Sequence, residues 1–431
     1  MSQKGPSLLE KLIDLTRQTV DRARSSPEAF ESPWKWLFQK ESFPEVQAEL
    51  GRCNVMVIGK TGVGKSTLVN AVFKDELAKT GVGEPVTRHI RKYSKQDCPI
   101  TIYDTPGMEL ANTEIRLEVA KLIEELRFQE PEHHIHIIWY CIHHELKRLE
   151  EAEREWLKDL HLKGVPVILV LTQCLEYPDP EESEFYRYLE GQNLPVKQII
   201  PVLALDKAIN RQITIPSHGL ERLIGCTAEL LPEVARIAFI QQQKRRIDLK
   251  VKAAFKYVQG YVASAAFVGA TPIPFSDAPL LVAAQVSMIA NISSIFAYKA
   301  SPQFYYSLMA ALAGTGAATL TGRAIVSNLL KFLPGVGSIV GGIIQSTTAA
   351  TLTLSLGLAY IELMKAIARA ELKGIQLSES QIREIFLSKY QDYAKSGRKT
   401  LKGDEEDPRG GESSLNPELA QVCSLRATGA S

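Results

Sequence analysis

Gly59-Lys60-Thr61-Gly62-Val63-Gly64-Lys65-Ser66 follows the pattern G-x-x-x-x-G-K-[ST], and its spacing suits one kind of chemistry. Glycines let the backbone turn its N–H groups inward around phosphate oxygens, and a helix beginning at the same place points its positive end at the same anion. In such a loop Lys65 reaches the β- and γ-phosphates and the Ser66 hydroxyl ligates Mg²⁺, with Thr67 next in the nucleotide-binding set. The context fits: the apolar run VMVI precedes the loop and the helical pattern STLVNAVF follows it.

A second constellation is Asp104-Thr105-Pro106-Gly107, at the end of the apolar run Ile100-Thr101-Ile102-Tyr103. A carboxylate at a strand tip beside a phosphate loop can hold Mg²⁺, usually through water, and the Gly107 N–H can sense a γ-phosphate. Between the two motifs stands Glu84-Pro85-Val86-Thr87. Thr87 in such a segment could complete the Mg²⁺ shell when a triphosphate is bound, which orders the loop as a switch; Thr80 competes for that role. The expected metal set is therefore Ser66, Thr87 and Asp104, and the expected catalytic pair is Lys65 and Thr87.

These residues must be positioned by alternating strands and helices. From Cys53 to about Leu231 the β-rich runs CNVMVIG, RHIRKYS, PITIYDT, HIHIIWYC, VPVILVLT and KQIIPVLA alternate with helical patterns at 65–74, 112–129, 145–162, 182–191 and 219–231. That order predicts an α/β domain, a mostly parallel sheet with helices on both faces, with its ligand at the carboxyl ends of the strands. Residues 1–50 read as an amphipathic helical extension, 51–231 as the nucleotide-binding domain, 232–395 as an all-α, apolar helical domain and 396–431 as a disordered tail rich in Gly, Ser, Pro and charge.

The motifs, in this order, resemble the Era/TrmE-like branch of P-loop GTPases over roughly residues 50–231. The resemblance implies a GTP/GDP cycle with Mg²⁺, with Thr87 in switch I and Asp104 to Gly107 opening switch II. Guanine recognition in that family uses [NT]-K-x-D after the fifth strand. The matching stretch here is Thr172-Gln173-Cys174-Leu175, so Thr172 and Gln173 are carried over to the nucleotide set. Leu175 cannot accept a hydrogen bond, whereas Glu176, one position late, could supply the carboxylate if the loop shifts. Met108 stands where Ras-like members place a water-orienting Gln, which implies slow intrinsic hydrolysis accelerated by a protein partner or a second copy.

Residues from about 233 to 390 resemble the helical domain that follows Era-like domains in YcjF-type proteins. The resembling pieces include Thr271-Pro272-Ile273-Pro274-Phe275-Ser276-Asp277 and Leu333-Pro334-Gly335-Val336-Gly337. The uncharged gaps Lys256 to Asp277, Asp277 to Lys299, Lys299 to Arg323 and Lys331 to Glu362 each approach the length of a bilayer-crossing helix. Gly337 and Gly341 give a G-x-x-x-G spacing, and the basic run Lys244, Arg245, Arg246, Lys250, Lys252, Lys256 suits an anionic leaflet. Frequent Ser, Thr, Gln and Asn, and Pro272, Pro274 and Pro279, equally suit a compact bundle of small-residue helices.

The chain has 50 basic and 49 acidic residues, so no global field points to nucleic acid. The scattered cysteines and the charged first residues point to reduced thiols and to no secretory leader, hence to the cytoplasm or the cytoplasmic face of a membrane. His133-His134-Ile135-His136 and His143-His144-Glu145 read as strand-end histidines rather than metal ligands. The expectation is a slow Mg²⁺-dependent GTPase switch coupled to a helical domain that binds a membrane or a protein. A G-domain scaffold without turnover and an ATPase are the alternatives.

Overall fold

The computed structural model describes residues 51–73, 84–85, 87, 90–95, 98–105, 113–268, 273–274, 278–298, 301, 304–305, 308, 343–344 and 346–402. The expected N-terminal extension, Thr80, Pro106, Gly107, Met108, Gly337, Gly341 and residues 403–431 of the expected tail lie outside these residues, whereas residues 396–402, expected to be disordered, continue the helix Glu379–Lys402. The chain divides into two compact units, Ala48–Lys250 and one containing Val251–Ser431.

The first unit is built on a seven-stranded sheet of order β2-β3-β4-β1-β5-β6-β7. Strands β1 (Cys53–Gly59), β4 (Ile100–Asp104), β5 (Ile137–His143), β6 (Val167–Thr172) and β7 (Gln198–Val202) are mutually parallel. The short β2 (Glu84–Pro85) and β3 (Arg91–Ser94) add an antiparallel edge. Every residue of β1 and of β6 is buried, as strands covered by helices on both faces require. β1 pairs with β4 on one side and β5 on the other, so the chain reverses its direction of travel across the sheet at β1. A crevice opens at the carboxyl end of such a strand.

Helices α1 (Lys65–Val72), α2 (Thr113–Arg127), α3 (Glu151–Leu162), α4 (Glu184–Glu190), α5 (Leu220–Leu230) and α6 (Glu233–Gln242) connect and cover the strands. The pattern at 145–162 becomes a helix only from Glu151. Lys147 sits in the left-handed region (φ 46°), and Glu150 with Glu153 forms a capping box that sets the start. On one sheet face Tyr140 meets Trp156 edge to face; elsewhere in the unit Phe73 stacks on Trp139 and both rings meet Phe239 edge to face.

Phe239 belongs to α6, beyond the boundary at 231 expected from sequence texture. The unit runs on to Lys250 because α6 packs on the strand layer and the following residues tie back to α1. Lys244 N donates to Val72 O and Lys244 Nζ to Asn70 O, while the buried Lys250 donates to Gln241 O. Arg246 forms an ion pair with Asp248. Of the basic run 244–256, Lys244, Arg246 and Lys250 are engaged within the fold, while Lys252 and Lys256 are exposed.

The second unit holds most of α7 (Ile247–Val268) with α8 (Ala278–Ile295), α9 (Ser346–Leu372) and α10 (Glu379–Lys402). Strands β8 (Lys207–Ala208) and β9 (Thr214–Ile215) form a short hairpin in the first unit, and in the second a two-residue bridge pairs β10 (Ile273–Pro274) with β11 (Ile343–Ile344). α9 packs along α10 and against α8, and at Gly357 it approaches α7 so closely that a Cβ would lie 2.7 Å from a Val258 methyl. The interior is threaded with small polar groups. Asn291 donates to Tyr261 Oη at 2.8 Å, and Ser293 Oγ lies 2.6 Å from Tyr360 Oη. Among the described residues one helix, Ala349–Leu372, is long and apolar enough to cross a membrane, and 78% of its apolar window is buried inside the unit.

Candidate functional site

The loop at residues 59–66 crosses the carboxyl end of β1. Gly64 has φ 97° and caps α1, a conformation costly for any residue with a Cβ. Gly59 passes so near β5 that a Cβ would stand 2.5 Å from Cys141 O. The geometry leaves Lys65 buried under the loop, where its Nζ donates to Gly59 O (2.8 Å) and Lys60 O (3.0 Å). Burial lowers the Lys65 pKa, and the carboxylate of Asp104 works against that shift. Ser66 and Thr67 are exposed on the first turn of α1. Lys60 forms a 2.7 Å ion pair with Glu150 at the start of α3, which anchors the loop from above the sheet.

Asp104 ends β4 opposite Val57 of β1 and Arg91 of β3. Its Oδ1 is buried with no hydrogen-bond partner. Burial pushes its pKa up to about 6, with Lys65 and Arg91 pulling the other way. A buried carboxylate oxygen left without a donor is costly unless something else satisfies it. Mg²⁺ takes oxygen ligands and keeps several of its waters, so this orphaned oxygen fits the ion. The exposed hydroxyl of Ser66 supplies a second oxygen of the right type.

On the other side of the loop, Thr172 Oγ1 at the end of β6 donates to Val63 O (2.6 Å) and lies 3.0 Å from Ile142 O. Gln173 follows in the left-handed region (φ 53°), and its Nε2 donates to Gly62 O at 3.0 Å. Beside these contacts is a cavity of about 300 Å³ lined by Gly62, Gly64, Gln173 and the stretch 202–207. Leu175 and Glu176 do not line it. Leu175 N donates instead to Glu145 Oε1, which also binds His144 Nδ1.

The structure thus gathers Gly59, Lys60, Thr61, Gly62, Val63, Gly64, Lys65, Ser66, Thr67, Asp104, Thr172 and Gln173 at one end of the sheet. Thr87 is engaged elsewhere: its hydroxyl donates to Glu118 of α2 at 2.5 Å. Gly107 falls outside the described residues. Sequence reasoning missed Glu150, Glu118, Glu145 and Asp206, for no motif ties them to the loop by spacing. His136 and His144 serve the fold. His136 Nδ1 accepts from Asn54 N, and burial lowers its pKa to about 4; His144 is fully buried between Glu145 and Ser183.

A parallel sheet with a glycine loop, a buried lysine and a strand-end aspartate at its switch point defines a P-loop nucleotide-binding domain. Comparison with known proteins narrows this. A family model described as "50S ribosome-binding GTPase" matches residues 54–173, and one described as "Domain of unknown function (DUF697)" matches 240–389. A "Probable GTP-binding protein EngB" of Thermosipho africanus is 31% identical over 157 residues, 35% of this chain and 77% of that protein. "GTPase Era" of Pseudomonas fluorescens is 28% identical over 185 residues, 42% of this chain and 56% of that protein. "Magnetosome membrane protein 22" of Magnetospirillum gryphiswaldense is 28% identical over 105 residues, 24% of this chain and 54% of that protein. This chain spans only about half the length of the latter two. It belongs to the GTP-binding P-loop GTPases of the Era and EngB type, with a DUF697 domain following the G domain.

Proposed function

We propose that this chain binds GTP and GDP with Mg²⁺ at residues 59–66 and hydrolyses GTP slowly, as a switch. The observation that carries the reading is the pairing of a buried Lys65 ammonium, held by Gly59 O and Lys60 O, with the orphaned Oδ1 of Asp104. Lys65 and the loop amides would hold the β- and γ-phosphates, while Ser66 and Asp104 would hold Mg²⁺, which neutralises charge on the phosphates when bound. Thr172 and Gln173 fix the loop from the β6 side. Catalysis of this kind is mostly positioning and electrostatic stabilisation, and Met108, a thioether next to Gly107, cannot orient water by hydrogen bonding. That supports slow intrinsic turnover.

A fluorescent GTP analogue titrated onto the full chain with Mg²⁺, then displaced by GTP or ATP, tests site and specificity together. Displacement by GTP, release of phosphate, and loss of both on Lys65→Ala are expected. An intact, folded protein that binds neither purine nucleotide would remove the reading, and one that binds without any turnover would reduce it to a scaffold.

For the helical unit we propose a packed bundle that contacts its partner through its surface. The burial of the apolar window in Ala349–Leu372 and the polar links Asn291–Tyr261 and Ser293–Tyr360 support this over a set of separate membrane spans. The likeness to a magnetosome membrane protein keeps a membrane surface among the partners to test. Flotation of the full chain with anionic vesicles decides: release by high salt fits a surface contact, and retention until detergent is added would overturn the bundle reading.

A further inference from the structure

The cavity beside the phosphate loop has a single carboxylate among its lining residues, Asp206, on the stretch that follows β7. The position at which related domains carry their base-binding acid holds Leu175. The neighbouring acids do not take its place: Glu176 is absent from the lining, and Glu145 spends Oε1 on Leu175 N and His144 Nδ1. Asp206 is held in place by its own loop. Its Oδ1 accepts from Ser217 N at 2.7 Å, on the chain that returns from the hairpin formed by β8 (Lys207–Ala208) and β9 (Thr214–Ile215).

We infer that Asp206 is the base-reading carboxylate of this site and selects guanine. The inference rests on the nucleotide site proposed above. A carboxylate has only acceptors, and guanine presents N1–H and N2–H₂ as adjacent donors on one edge, whereas adenine presents a bare N1 there. The Ser217 backbone N–H, then the Ser217 side chain and the charge of Arg245, hold Asp206 below the usual carboxylate range, so it is ionised at neutral pH. The acid thus comes from the loop after β7, although the family motif would put it in the loop after β6.

Binding of GDP, ADP and xanthosine diphosphate to the full chain and its Asp206→Asn variant tests this. An Asn amide keeps an acceptor but brings a donor, which suits the O2 that replaces N2–H₂ in xanthine. GDP affinity should fall by about tenfold to hundredfold and xanthosine diphosphate affinity should rise, a gain that misfolding cannot mimic. Glu176→Gln should change neither. Unchanged GDP binding in Asp206→Asn, or the switch appearing in Glu176→Gln, would overturn the assignment while leaving the phosphate site intact. A parent protein that binds no nucleotide would sink both.

Discussion

The hydroxyl of Thr172, the last residue of β6, donates to the carbonyl of Val63 at 2.6 Å and so fastens the loop between β1 and α1 to a strand two places away in the sheet. Both residues are buried, and the contact fixes the loop's curvature from outside the loop. Thr172→Val keeps the shape but strands the Val63 carbonyl, at a cost of about 1–3 kcal/mol. Thermal or urea unfolding should show that loss and nucleotide affinity should weaken with it, while Thr172→Ser should restore both. A Thr172→Val protein as stable as the parent would show that the bond does not hold the loop.

Asp104 gives opposite pH dependences for the fold and for the ligand. With its pKa raised to about 6, the folded chain binds a proton that the unfolded chain has released between about pH 4 and 6. Its contribution to stability is therefore greatest below about pH 4 and declines as pH rises through 6. Mg²⁺-nucleotide binding needs the ionised form, so affinity should fall as pH drops below about 6, by up to about tenfold per unit. Calorimetric titration across this range checks the sign. Asp104→Asn should flatten the dependence, weaken the Mg²⁺ requirement and leave the nucleotide-free protein at least as stable at neutral pH.

Thr87 must leave Glu118 to reach a metal. A hydrogen bond to a carboxylate is worth about 1.5–3 kcal/mol, which sets the scale of the competition. Glu118→Ala should raise the preference for GTP over GDP by about tenfold or more, because only the triphosphate state gains from the released hydroxyl. The ratio of the two dissociation constants measures it. Equal effects on both nucleotides would show that Thr87 has no part in sensing the γ-phosphate.

Gly357 tests the packing of the helical unit. Its ideal Cβ would meet both methyls of Val258, at 2.7 and 2.8 Å, and the Met288 sulfur at 3.2 Å. Gly357→Val should destabilise that unit by about 1–3 kcal/mol through overpacking. Nucleotide affinity should be unchanged. A neutral result on unfolding would mean that α7 and α9 do not approach in this way.

The phosphate loop was legible because its chemistry is contiguous. Glycine spacing, an apolar run before and a helix after are all local, so residues 59–66 and the strand-end Asp104 could be read along the chain. Sheet class followed from the alternation of runs such as VMVI and VILVLT with helical patterns. Distant partners carry no such mark. Glu118 binding Thr87, Glu150 pairing with Lys60, and Asp206 lining the cavity depend on where separate elements come to rest. So does the extension of the first unit to Lys250, since charged texture hid the buried ring of Phe239 and the distant carbonyls that Lys244 meets. Periodicity and spacing report the backbone's local preference; which side chains share a cavity is decided by packing between segments tens to more than a hundred residues apart.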